Sequence, residues 1–366
     1  MKIGSVKEIK KLESRVGLTP SSVKEYINHG HKVYIEKNAG INSGFKDEDY
    51  LNAGAKIFDK AKDVWEKSDM IVKVKEPLEP EYKYFREDLI IYTYLHLAAD
   101  EKLTKELMKK NVKSVAYETI QLEDGSLPCL KPMSSVAGRL GVIEGAKHLQ
   151  KPLGGSGILL SGVPGTRRAN VTVIGAGTVG EGAIKMAVGL GANVTVLDID
   201  VDKLIYLDDI YGNRVTTLYS NAQNIQESLA KSDLVVSGVL LAGAKAPKII
   251  KCNYYKDMMP GSVIVDVAID QGGSTEVSKM TYHDNPTFVV DDIIHYCVAN
   301  MPGAVPQTST VALNNATIKY GLMIADLGLE TAIDKSKPLK LGVNTYKGKC
   351  TCKGVCAAFD LEYKAL

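Results

Sequence analysis

An α/β architecture of two domains, one inserted into the other, follows from three features of this sequence. Short apolar runs alternate with helical patterns along most of the chain, which calls for mostly parallel sheets covered by helices. The length of 366 residues is that of about two domains rather than one core. Near the middle stands "VTVIGAGTVGEGAIKMAVGLGANVTVLDID", in which an apolar run meets a glycine cluster, a helical pattern and a second apolar run.

Taken in order, "KIGSV" reads as a strand, and "TPSSVKEYINHG" reads as a helix with Thr19 as its N-cap, Pro20 at its first position and Gly30 just past its end. The runs "KVYIE", "MIVKV", "LIIYTYL" and "SVAYETI" follow as strands. A proline-rich, irregular break spans Leu127 to Ser135, and a helix from about Val136 to Gln150 leads out of it. Beyond that helix, "VTVIGAG", "NVTVLDID", "RVTTLYS", "LVVSGVLL", "GSVIVDVAID" and "TFVV" read as six successive strands. A long helix from about Thr310 to Leu327 and a polar tail complete the chain. Six strands with a glycine cluster after the first describe one doubly wound domain. The expected boundaries are 131–305 for that domain and 1–130 with 306–366 for the other, giving two Rossmann-like domains with parallel sheets and a cleft between them.

The glycine cluster carries the first chemistry. Gly175 permits the tight turn, Gly177 lets the backbone approach a pyrophosphate, and Gly180 lets the following helix lie close to the strand. The helix N-terminus then offers free N–H groups and a favourable dipole to an anion. Asp198, about 20 residues beyond the motif, stands where a carboxylate accepts hydrogen bonds from the adenosine ribose and repels a 2′-phosphate. The expected cofactor is NAD rather than NADP.

Composition narrows the rest. A formal charge of +2, with lysines scattered among acids, gives no electrostatic footprint for nucleic acid or an anionic membrane. The start "MKIGSVKEIKK" lacks the apolar core of a secretory signal, and the most apolar stretch, around Ile174 to Leu197, is interrupted by Glu181, Lys185 and glycines. A soluble cytoplasmic protein is expected. Six cysteines are too few for a disulfide scaffold at this length, and Cys350, Cys352 and Cys356 lack a fourth ligand for a tetrahedral zinc site. That cluster reads as incidental, and no metal is expected.

Ligands in open α/β sheets sit at the carboxyl ends of strands, so the polar residues just past apolar runs are the candidates. Asp270 follows "SVIVDVAI", His96 ends "LIIYTYL", Lys75 ends "MIVKV", and Arg15 lies in "ESRVGLTP" after the first strand. Asp266, inside its strand, reads as a buried structural carboxylate.

With these residues in place, "ESRVGLTP", "VKVKEP", "YTYLHLAAD", "AYETIQ", "LLSGVPG", "GAKAPK", "PGSVIVDVAIDQGG" and "HYCVANMPGAVPQTST" resemble the alanine dehydrogenase family from residue 1 to about residue 350. The resemblance implies NAD-linked oxidative deamination of L-alanine to pyruvate and ammonium, with the reverse reductive amination, in a homohexamer. It implies substrate binding by Arg15 and Lys75 and acid–base work by His96 and Asp270. It also implies cofactor contacts at Ser134, Thr178, Val179, Lys203, Ser220, Val239, Leu240, Val267, Ala268, Ile269, Asp270, Lys279, Val298, Ala299, Asn300 and Met301. The chain departs from the family at Ser135, where a glutamate is common, and at Lys279 and Gln307, where arginines are common. These departures bear on cofactor affinity and subunit contacts.

Three other readings stay open on the residues. One is the NAD-binding subunit of a proton-translocating transhydrogenase, which carries an arginine- and glutamine-bearing loop where this chain has "CLKPMSSVAGR". A catalytically silent nucleotide sensor is a second, although it has no physical need for an acid–base pair beside a nicotinamide. The third is a dehydrogenase of another small amino acid, since one methylene in a pocket is worth only about 1–3 kcal/mol.

Overall fold

The computed structural model describes residues 1–239 and 246–366. They divide into two units, Met1–Met133 with Val305–Leu366, and Ser134–Ala304.

The first unit begins with strands β1 (Lys2–Ser5), β2 (Lys32–Glu36), β3 (Lys56–Phe58), β4 (Met70–Val72), β5 (Ile90–Thr93) and β6 (Lys113–Ala116), interleaved with helices α1 (Pro20–Asn28), α2 (Asp47–Asn52), α3 (Ala61–Lys67) and α4 (Glu101–Lys109). Helix α1 starts as the sequence predicts: the Thr19 hydroxyl accepts the Ser22 N–H at 3.1 Å and Pro20 fills the first position, where no N–H is needed. Strand alternation separates two cores. Ile3, Val33, Ile35, Met70, Val72 and Tyr92 point to one side, and Ile71, Ile91, Trp65, Leu103 and Leu107 fill the other.

The second unit carries β7 (Asn170–Ile174), β8 (Asn193–Asp198), β9 (Val215–Tyr219), β10 (Leu234–Ser237), β11 (Val263–Asp266), β12 (Thr287–Val290) and β13 (Ile293–Tyr296). Its sheet runs in the order β12-β13-β11-β10-β7-β8-β9, parallel except for β12. Helices α5 (Lys131–His148), α6 (Thr178–Gly189) and α7 (Val201–Tyr211) contribute to the core on one face, while α8 (Ala222–Lys231) contributes to the core on the other. Strand order reverses between β7 and β10, the topological switch point where such sheets bind ligands.

The chain then returns to the first unit through α9 (Pro306–Leu327), α10 (Leu329–Lys335), α11 (Lys337–Gly342), β14 (Val343–Tyr346), β15 (Lys349–Cys350) and α12 (Lys353–Phe359). Its sheet order is β15-β14-β6-β5-β4-β1-β2-β3, with β14 antiparallel to β6 and β15 antiparallel to β14.

Four details differ from the sequence reading. The segment 131–135, read as irregular, is the first turn of α5, because Pro132 lies where a helix tolerates proline. Helix α9 begins at Pro306 instead of Thr310, its polar first turn having concealed it. "TFVV" is an antiparallel edge strand, and the unread Ile293–Tyr296 is the sixth parallel strand, with His295 interrupting its apolar pattern. The polar tail is structured, in elements too short to show a period.

Candidate functional site

In the second unit the site is built from main chain. Gly175 has φ +96°, a conformation that side chains with a Cβ rarely adopt. A Cβ on Gly180 would run into the Gly175 carbonyl oxygen and contact Val173 at 3.4 Å, so only glycine allows α6 to start this close to β7. Gly177 differs, because a Cβ there would meet open space. The loop therefore presents an uncovered backbone at the N-terminus of α6, with Thr178 and Val179 in its first turn.

Around the loop, the carboxyl ends of neighbouring strands supply the rest. Asp198 ends β8, its carboxylate accepting the Ala176 N–H at 2.5 Å and the Asp200 N–H at 2.8 Å. The same carboxylate thus fixes the glycine loop. Ser220, one strand over, donates its N–H to the Asp198 carbonyl at 2.9 Å. Lys203 lies on α7 and pairs with Asp200 at 3.4 Å. Val239 follows β10, and Leu240 lies outside the described residues.

Val267, Ala268, Ile269 and Asp270 form a 3₁₀ turn after β11, with the Asp270 side chain exposed. Asp266 is fully buried, as its sequence position predicts, and accepts hydrogen bonds from Ala268 N at 3.2 Å, Ser274 N at 2.7 Å and Ser278 Oγ at 2.6 Å. It pins both ends of the turn that bears Asp270. Val298 and Met301 are buried, while Asn300 holds a left-handed φ of +57°. Ser134 lies in α5, half-buried, and Lys279 is exposed. Ser237 Oγ at the end of β10 and Gln271 Oε1 are buried with no hydrogen-bond partner among the described residues. Orphaned polar atoms at strand ends, open backbone at a helix N-terminus and a carboxylate on the neighbouring strand fit a dinucleotide.

The first unit uses side chains held by carboxylates. Arg15 is almost wholly buried, and Glu13 grips its Nε at 2.7 Å and its Nη2 at 2.6 Å, while Nη1 meets the Met133 sulfur at 3.1 Å. Burial works against the charge of Arg15, but the hydrogen bonds and attraction of Glu13 outweigh it and hold the guanidinium above its ordinary value. Lys75 is half-buried just beyond β4. The Glu8 carboxylate accepts the Val74 N–H at 2.6 Å and the Lys75 N–H at 3.2 Å. Glu8 in turn pairs with the fully buried Lys73 at 2.9 Å, which also reaches Glu81 at 3.0 Å. Burial raises the Glu8 carboxyl, and Lys73 opposes that rise.

His96 is exposed at the end of β5 and sits in a left-handed conformation, φ +49°. Glu118 accepts its backbone N–H at 2.6 Å, and the ring lies parallel to Tyr94, 6.0 Å between centroids. The strain of a non-glycine residue there persists because carboxylate and ring hold it. The sequence reading did not single out Glu8, Glu13, Lys73 or Glu118 for this work. The one signal in the sequence was Lys73 inside the apolar run "MIVKV", where a charge must find a partner. Among the described residues no group of histidine, cysteine and acid side chains is placed to hold a metal, and no helix is long and apolar enough to cross a membrane.

Comparison with known proteins gives a consistent result. Residues 4–137 match the model of the alanine dehydrogenase/PNT N-terminal domain, and residues 141–353 match that of its C-terminal domain. Alanine dehydrogenase 2 of Staphylococcus aureus strain USA300 is 54% identical over 367 aligned positions, covering 100% of this chain and 98% of the relative. A solved L-alanine dehydrogenase superposes with a TM-score of 0.96 at 47% identity, over 98% of this chain and 99% of the other. A transhydrogenase from Sinorhizobium meliloti superposes with a TM-score of 0.82 at 23% identity, covering 96% and 99% of the two chains, which is a likeness of fold.

Proposed function

This chain belongs to the alanine dehydrogenase/PNT family, and from that premise we propose the division of labour among its residues in the reversible, NAD-dependent oxidative deamination of L-alanine to pyruvate and ammonium. The observation that carries the activity is the full-length relative at 54% identity. A transhydrogenase likeness at 23% identity reaches no further than the fold.

The unit 134–304 is the cofactor unit. The loop Gly175–Gly180 and the first turn of α6 hold the pyrophosphate, Asp198 reads the ribose, and Ser220, Val239, Val267–Asp270 and Val298–Met301 line the strand ends. When bound, the nicotinamide supplies the hydride acceptor, and the protein contributes position and charge.

The other unit handles the substrate. Arg15, oriented by the Glu13 carboxylate on its Nε and Nη2, is the group assigned to the substrate carboxylate. Lys75 polarises the carbonyl or imine carbon's oxygen or nitrogen partner and stabilises charge developing there. His96, an exposed imidazole on a rigid turn, gives and takes the proton of the attacking or departing water. Asp270 orients water or ammonia and balances charge on the iminium side.

Two further proposals rest on the family resemblance: a homohexamer and a cytoplasmic location. An exposed apolar stripe on α7, made of Val201, Ile205, Tyr206 and Ile210, supports association. Light scattering of the purified chain tests the hexamer.

Formation of NADH, followed by its near-ultraviolet absorbance with L-alanine, serine, glycine and 2-aminobutyrate in turn, tests the activity. The highest kcat/KM is expected with L-alanine; a preference for another amino acid would reassign the substrate, and no turnover with any of them would overturn the reading.

A further inference from the structure

The cysteines near the C-terminus, which spacing alone made incidental, are brought together by the fold. Cys350 ends β15 and Cys356 lies in α12, and their Sγ atoms are 2.8 Å apart. That separation is inside the sum of two sulfur van der Waals radii and less than 1 Å from the bonded distance of about 2.05 Å. Both thiols are buried, at 0% and 4% exposure, in the core cluster that also contains Leu95 and Leu97.

The surrounding backbone fixes the pair. Thr351 N donates to Asn344 O at 2.9 Å, Lys364 N donates to Cys350 O at 2.9 Å, and Leu361 N donates to Cys356 O at 3.0 Å. The C-terminal segment thus folds back over its own strand as a clasp. Helix α12 packs against the turn Leu97–Ala99, the residues immediately after His96.

We propose that Cys350 and Cys356 are an oxidation site, closing an intrachain disulfide with a low-molecular-weight disulfide as oxidant. In the first step the Cys356 thiolate attacks one sulfur of the oxidant, forming a mixed disulfide and releasing one small thiolate, which takes up a proton. The Cys350 thiolate then attacks the Cys356 sulfur and expels the second small thiolate. Two protein thiols lose two electrons and two protons, and the oxidant is reduced to two thiols.

The closed clasp restrains this reaction. Burial, reinforced by Cys350, pushes the Cys356 thiol up to about 12, so its thiolate is scarce until α12 opens. A helix of seven residues opens locally at low cost, which sets the rate without altering the product. Once formed, the bond ties α12 to β15 and holds it behind the His96 turn.

The test uses the full-length chain, equilibrated either with oxidised glutathione or with dithiothreitol, then alkylated without reduction, digested with trypsin and mapped by mass. The oxidised sample should hold four alkylatable thiols of the six. It should also yield one linked pair, residues 350–353 joined to residues 354–364 and lighter by two hydrogens. Because Cys352 shares the first of those peptides, the same map on Cys352→Ser decides the pairing, and the link should persist there and vanish in Cys356→Ser. Hydrogen exchange on the unsubstituted chain should slow in α12 and at Leu97–Ala99 on oxidation. Six free thiols after equilibration would overturn the proposal, as would loss of the link in Cys352→Ser or glutathione adducts in place of an intrachain link.

Discussion

The two units hold their candidate site groups still by different means. In unit 134–304 the work falls mainly to main chain and to residues close in sequence: Gly175 to Gly180 shape one loop, and Asp266 bonds to residues 2, 8 and 12 positions on. In the other unit, acidic side chains mostly reach across the chain. Glu8 grips Val74 from 66 positions away, and Glu118 grips His96 from 22. A ligand recognised by its repeating phosphate geometry needs a shaped backbone, whereas a small substrate undergoing proton transfer needs individual charged groups at set positions. Backbone shape is encoded by glycine spacing; isolated charges are not.

The largest expected effect tests whether the substrate unit carries the proton chemistry. His96→Ala should lower kcat by about 10²- to 10⁴-fold, the usual contribution of a general acid–base group, with NADH affinity by fluorescence titration near that of the parent. Turnover within a few-fold of the parent would remove His96 from that role and leave the contrast between units without its chemical half.

That contrast also explains what the sequence made legible. The glycine loop, Asp198 and the buried role of Asp266 were readable because each depends on residues within one βαβ or strand–turn segment. The positions of Lys75, His96 and Asp270 just past strands, and of Arg15 in the loop between β1 and α1, were readable too, but the carboxylate that holds Lys75 was not, since only the sheet order β4-β1 brings Glu8 beside Val74 and Lys75. Where the reading missed elements, local chemistry misled it. Pro132 resembled a break although it sits in a first turn, the polar first turn of α9 hid its start, and His295 masked β13 because nothing local shows that an imidazole is buried there.

The next effect concerns stability. Glu13→Ala strands the buried Arg15 guanidinium without its bidentate partner, and removing one member of a buried ion pair costs about 3–5 kcal/mol. Urea unfolding should show this loss, with Glu13→Gln intermediate because its amide still accepts a hydrogen bond. An unchanged midpoint in Glu13→Ala would mean that Arg15 finds another anion or water, and that the carboxylate brackets are dispensable.

His295 sharpens the comparison from the other side, as a buried imidazole in unit 134–304. Among the described residues neither ring nitrogen has a hydrogen-bond partner, Phe288 stacks on the ring at 5.0 Å, and burial lowers its pKa from 6.5 to about 4. Between those values the unfolded chain binds a proton that the folded chain does not, so stability falls as pH drops from about 6.5 to about 4 and is fully present above that window. The contribution is about 3 kcal/mol at most. His295→Phe should flatten the acid limb of the stability–pH curve; equal slopes in parent and variant would show that His295 stays protonated or finds water when folded.

The smallest expected effect, and the one most specific to the cofactor loop, is at Asp198. Its carboxylate already accepts Ala176 N and Asp200 N, and each oxygen has a further lone pair for a ribose hydroxyl. A hydrogen bond to a charged acceptor is worth about 1.5–3 kcal/mol, so Asp198→Gly should cut kcat/KM for NAD⁺ by roughly 10- to 100-fold. Use of NADP⁺ should stay level or rise, because the charge that repels a 2′-phosphate is gone. The ratio of the two is the decisive quantity, since loss of the Ala176 bond loosens the glycine loop and weakens both cofactors alike. Asp198→Asn separates the contributions: it keeps an acceptor for Ala176 while removing the charge, so it should move the ratio with a smaller loss for NAD⁺. If the ratio stays fixed in both variants, Asp198 serves only to hold the loop, and the cofactor unit selects NAD⁺ by shape alone.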